Sequence, residues 1–208
     1  MTQFIAPAPT PEPLAHLFIL LERYRERFPV LGEELARQRA LTQALAEQRA
    51  QAEQALGAWR AALSQRWTSE VAAYRCFSRV LRQLADYDGD SDAQVRLLVA
   101  TGTTAAHTPA GLLQELRRLD VWLGLLHPAP AFAKEAQANL REAADQLEAT
   151  LNHCNQCELA RHALLVEQRL AASLIEHCYQ RSRRLLAHHA LAEDVAILPD
   201  ALPTDRAA

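Results

Sequence analysis

Residues 31–87 read LGEELARQRALTQALAEQRAQAEQALGAWRAALSQRWTSEVAAYRCFSRVLRQLADY, with no proline and only Gly32 and Gly57 as glycines. Ala, Leu, Gln, Glu and Arg dominate the stretch, and these side chains lose least by entering a helix. At about 100° per residue, Leu31, Leu41, Leu45, Ala52, Leu56, Trp59, Leu63, Trp67, Tyr74, Phe77, Leu81 and Leu84 share a stripe about 100° wide. Glu34, Gln38, Arg49 and Glu70 interrupt it, and most interruptions precede Ala52. The pattern predicts one long helix over 31–87, straight rather than strongly supercoiled, with its first turns less buried than the rest.

Outward from that helix the fold class is all-α. Pro13 opens a shorter helix over 13–28, whose Leu14, Leu17, Phe18, Leu21, Tyr24 and Phe28 share a face, and Pro29 is expected to end it. Asp86 to Asp92 stops the long helix, with Gly89 suited to a left-handed cap. Ser91 and Gln94 have capping-box spacing for a short helix over 92–101. Thr108 and Pro109 read as cap and first residue of a helix over 109–126, striped by Leu112, Leu116, Leu119, Leu123 and Leu126. A second long helix is expected over 132–192. There Leu140, Ala144, Leu147, Leu151, Cys154 and Leu165 agree in phase, whereas Leu164, Ala171, Ile175, Cys178 and Leu186 are rotated by about 100°. Either the helix bends or turns within 152–162, or its buried face passes from one partner helix to another; the second is favoured.

Short helix, proline, long helix occurs twice, so 12–192 is expected to be a single bundle domain of two pseudo-repeat units, 12–90 and 108–192. An internal duplication with antiparallel long helices would give an elongated bundle. The proline-bearing ends, 1–11 and 193–208, are expected to be disordered tails.

Composition limits function. Half of the 208 residues are apolar, enough to bury a core. The first 104 residues carry 12 basic and 12 acidic side chains and the remainder 10 and 13, so neither half has the clustered positive surplus of a nucleic-acid binder. No apolar run approaches the roughly 18 residues that cross a bilayer. Residues 1–13 lack a basic start, and four cysteines in such a chain suggest free thiols in a reducing cytoplasm.

Few residues point to chemistry. His153, Cys154 and Cys157 form the most metal-like cluster, because a CxxC offers two soft ligands one turn apart. His177 and Cys178 stand about 30 Å further along an unbroken helix, so a closed site would need two chains, each giving two cysteines. Glu158 and His162, with Arg161 between them, read first as a polar layer, since the Glu-x-x-His spacing of di-iron bundles is absent. Asp86 to Asp92 resembles the start of a calcium loop, but Leu97 stands where a bidentate Glu belongs. Glu70 lies on the apolar stripe and calls for an arginine, Arg141 or Arg118. Arg181, Arg183, Arg184, His188 and His189 suit the negative end of a helix. Trp59, Trp67, Tyr74 and Phe77 read as core.

No phosphate loop, dinucleotide fingerprint, nucleophile elbow or His-Glu-x-x-His is present, and no catalytic residue or cofactor is nominated. The expectation is a non-enzymatic helical interaction or scaffold protein, binding a protein partner or itself as in a coiled coil. The alternatives are a metal- or redox-linked module using Cys154, Cys157 and His153, and a bundle holding a small ligand at the Glu70 or Glu158 layers.

Overall fold

The computed structural model describes residues 12–87 and 107–202. Five helices occur along them: α1 (Glu12–Tyr24), α2 (Pro29–Ala85), α3 (Pro109–Leu125), α4 (Ala133–His189) and α5 (Ala192–Ala196). No strand occurs among the described residues, and the chain is an all-α bundle. The expected helix over 92–101, its capping residues and the Gly89 cap lie outside them. No helix of the described residues is long and apolar enough to cross a membrane.

Two helix boundaries follow directly from local chemistry. Thr108 caps α3 by accepting from the Gly111 N–H at 3.0 Å, and Pro109 follows it, where its missing N–H costs nothing. Pro29, however, opens α2 rather than closing α1. The first helix stops at Tyr24, whose carbonyl accepts from the N–H groups of Arg27 and Phe28 at 3.2 and 3.0 Å. Phe28 is pushed out of the helical region by the ring that follows it, and Pro29 takes the first helical position, where its fixed φ fits.

The described chain forms two compact units, cut differently from the two units expected from the sequence. The first combines residues 12–55 with 161–202. Its core joins Leu14, Leu17, Leu20 and Leu21 of α1 to Leu31, Leu35 and Leu45 of α2 and to Ile175, Tyr179 and Leu186 of α4. The second unit is residues 56–160. There Leu112, Leu116, Leu119 and Leu123 of α3, with Leu126 just beyond it, pack on Ala73, Phe77, Val80 and Leu84 of α2 and on Ala136, Leu140, Ala144 and Leu147 of α4. Each unit is thus a short helix laid on segments of both long helices.

Burial along the long helices recurs every seven residues. On α2, Leu31, Gln38, Leu45, Ala52, Ala73 and Val80 are buried and Trp59 and Arg66 half-buried, all at that spacing. On α4 the same holds for Ala133, Leu140, Leu147, Cys154, Ile175 and Ser182, with Arg161 and Gln168 half-buried. A seven-residue line drifts about 20° per heptad against a straight 3.6-residue helix. Four heptads separate Leu147 from Ile175, so the drift alone turns the buried face by about 80°. No turn interrupts α4, which is one continuous helix through 152–162. The third helix it meets also differs, α3 in one unit and α1 in the other.

The same drift corrects one expectation for α2, and the packing of its neighbours corrects another. Trp67 and Tyr74 leave the buried line and are 65% and 54% exposed, while Ala62, Ala73 and Val80 are buried. The first turns are not the shallow part either. Leu31, Glu34, Leu35 and Gln38 are all buried, because α1 and the end of α4 both cover them.

The residues from Glu193 onward, expected as a disordered tail, are ordered through Leu202 against the first unit. Leu198 is buried, the Tyr179 hydroxyl donates to the Pro199 carbonyl at 2.9 Å, and the Leu202 N–H reaches Glu176 Oε2 at 3.1 Å. Arg183 pairs with Asp200 at 2.6 Å, and Gln180 donates to the Asp200 carbonyl. Backbone groups supply much of this anchorage.

Candidate interaction surface

A buried polar cluster lies in the first unit. Gln38 Nε2 donates to Ser182 Oγ at 2.9 Å, and the Ser182 hydroxyl lies 3.0 Å from Glu34 Oε1 and 2.9 Å from the Cys178 carbonyl. One hydroxyl proton serves only one of those acceptors at a time. Glu34 Oε2 is met by Arg37 at 3.3 Å and Arg181 at 3.5 Å, both reaching in from the rim. Glu34, Gln38 and Ser182 are 2%, 0% and 0% exposed, so no substrate reaches them. With no histidine in the cluster to take the Ser182 proton, it is not arranged for nucleophilic catalysis. It fixes the register of α2 against α4, since sliding either helix would strand a buried carboxylate.

The residues singled out from the sequence are dispersed. Cys154 is buried, at 2% exposure, whereas Cys157 is half-buried and His153 exposed. The CxxC therefore does not present both sulfurs to one point; Cys157 instead stands 3.8 Å from His153 Nε2. No group of three or more His, Cys, Asp or Glu side chains that could hold a metal occurs among the described residues. Glu70 is half-buried, and the arginines expected for it pair elsewhere: Arg141 with Asp120 at 2.9 Å and Arg118 with Glu115 at 2.6 Å. Charge neutralisation by a nearer carboxylate wins over a longer reach. Glu158 and Arg161 are half-buried and His162 exposed, each engaged with a neighbour. At the end of α4, Arg181 and Arg183 are held by Glu34 and Asp200, and His189 lies against Phe28 with ring centroids 4.6 Å apart. The calcium-like segment lies outside the described residues beyond Tyr87.

Two hollows accompany these side chains. An open groove of about 400 Å³ is lined by Phe18, Ile19, Glu22, Arg23 and Arg39, and a small one of about 40 Å³ sits beside Cys76 and Phe132. Neither touches Glu70 or Glu158, the polar layers expected to hold a ligand. Burial raises the Cys76 thiol above its ordinary pKa, with Arg79 opposing and Glu142 adding to the shift. That thiol is therefore kept protonated and poorly nucleophilic at neutral pH.

The feature that sequence reasoning missed is apolar and outward. On the part of α4 in the first unit, Val166, Leu170 and Leu174 are 54%, 61% and 55% exposed. Their spacing places them within about 80° of arc, on the side away from the seven-residue buried line, with exposed Ala163 among them. The positions of α2 in the first unit that correspond to Val166, Leu170 and Leu174 are Gln43, Glu47 and Gln51, all exposed. The signal was present in the sequence: between Ala163 and Ile175 the helix is apolar on two opposite sides, whereas a helix with one covered side ordinarily shows one apolar stripe.

No family model, curated protein or solved structure matches this chain. Geometry alone carries the functional reading.

Proposed function

We propose that the chain is a non-enzymatic helical interaction protein that docks a further helix, of a second copy or of another chain, along the outer side of α4. The observation that carries this is the exposed stripe Val166, Leu170 and Leu174, with exposed Ala163 beside them, all in the first unit. Solvent-facing positions of a helix in a bundle ordinarily carry charge or amide, as Gln43, Glu47 and Gln51 of α2 do; contiguous exposed apolar surface is a mark of association. Ala163, Val166, Leu170 and Leu174 follow one another at steps of three, four and four residues, which match knobs-into-holes packing, so the added helix would engage as in a coiled coil. All four cysteines are free, which supports a reducing compartment such as the cytoplasm.

Light scattering at several protein concentrations, together with a pull-down, tests the reading. Association, with itself or with a captured chain, is expected in the wild type and lost in Val166→Glu/Leu170→Glu with helicity unchanged. A strictly monomeric wild type that retrieves no chain dependent on those two residues would overturn it.

A further inference from the structure

The pair His153 and Cys157 has a geometry that the CxxC reading concealed. They stand four residues apart on α4, in the second unit, and therefore on one face of one helix. Two ligands at that spacing on a helix grip a single zinc ion in the His-Glu-x-x-His arrangement. A tetrahedral zinc holding sulfur at about 2.3 Å and nitrogen at about 2.0 Å sets those two atoms about 3.5 Å apart. Cys157 Sγ and His153 Nε2 are 3.8 Å apart, so closing on a metal needs only a small side-chain adjustment. Cys154 is excluded from such a site by its burial.

We propose that His153 and Cys157 form a two-residue clasp for a soft divalent cation of the zinc class, completed into a tetrahedral Cys2His2 site by the same pair of a second copy. Four ligands are required, and among the described residues no third His, Cys, Asp or Glu joins this pair to make a metal-holding group. A two-fold axis through the metal supplies the missing two, since an isologous contact presents the same patch twice. The surface around the clasp allows the approach. Ala149, Gln156 and Ala160 border it on the same side of α4, all exposed and uncharged. The two alanines add no bulk and the glutamine carries no charge; the nearest charged side chain on that side of α4 is Arg161, one turn beyond Cys157 and already engaged with a neighbour. On binding, each thiol releases its proton to water as its sulfur–metal bond forms, and each imidazole donates the lone pair of Nε2 while its proton stays on Nδ1.

The test is a cobalt(II) titration of the reduced, untagged full chain, followed by absorption and light scattering together, on the wild type and on Val166→Glu/Leu170→Glu. A thiolate-to-cobalt charge-transfer band is expected, saturating at one metal per two chains and accompanied by a twofold rise in mass in the stripe variant, with zinc displacing cobalt. Cys157→Ser and His153→Ala should lose both signals while keeping their helical circular dichroism, and Cys154→Ser should keep both. Absence of the band, its survival in Cys157→Ser, or saturation at one metal per chain without a change of mass would each overturn the proposal.

Discussion

Ser182 stands at zero exposure between a buried amide and a buried carboxylate, and the hydroxyl is the one group bonded to both. Replacing it with alanine leaves Gln38 Nε2 without its acceptor and removes a bond to Glu34. Ser182→Ala is therefore expected to destabilise the fold by roughly 1–3 kcal/mol, the cost of stranding buried polar atoms, measurable by urea unfolding. A second residue gives a pH signature. The Tyr24 hydroxyl, at 2.6 Å, holds the Asp194 carboxyl below its ordinary value; desolvation opposes it, and Arg23, at 3.0 Å, adds further pull downward. The folded state then binds this proton less readily than the unfolded chain. The resulting stability is present above the ordinary aspartate range, near a pH of about 4, and is lost as pH falls through the lowered value. The melting-temperature gap between wild type and Asp194→Asn should accordingly be widest near neutrality and close in acid. Neither residue was legible from sequence. Ser182 is a mid-helix serine like many others, and Asp194 acts through a tyrosine 170 positions away.

At the scale of the helix, the existence and near-full length of α2 and α4 could be read directly, because neither carries an internal proline and α4 has no glycine. What could not be read was which side of α2 is covered. A broad apolar sector accommodates both a 3.6- and a 3.5-residue line for several turns, and the two diverge only near the end of the helix. Trp67 separates them, with Phe77, buried on either line, as the reference. Phe77→Ala should cost about 3–5 kcal/mol, as for any large buried side chain, whereas Trp67→Ala, at 65% exposure, should stay within about 0.5 kcal/mol. Equal costs would restore the straight stripe. The outward stripe of α4 escaped because only the phases expected to be buried were followed along that helix, and Val166, Leu170 and Leu174 belong to neither of them.

For the whole chain, the class of fold follows from composition, but the partition into units does not. Each compact unit draws on the beginning and the end of the sequence or on its middle, and periodicity along the chain carries no information about which segments meet. The same limit hid the order of residues up to Leu202, which depends on backbone carbonyls at Pro199 and Asp200 as acceptors. Function resides in what the packing leaves uncovered, and α4 is left short of a neighbour. The sharpest check is sedimentation velocity of the wild type and of Val166→Glu/Leu170→Glu, across a wide concentration range and with any captured chain. A complex is expected in the wild type, abolished by the two glutamates without loss of helix. A lone monomer in both, or a complex indifferent to those residues, would contradict it.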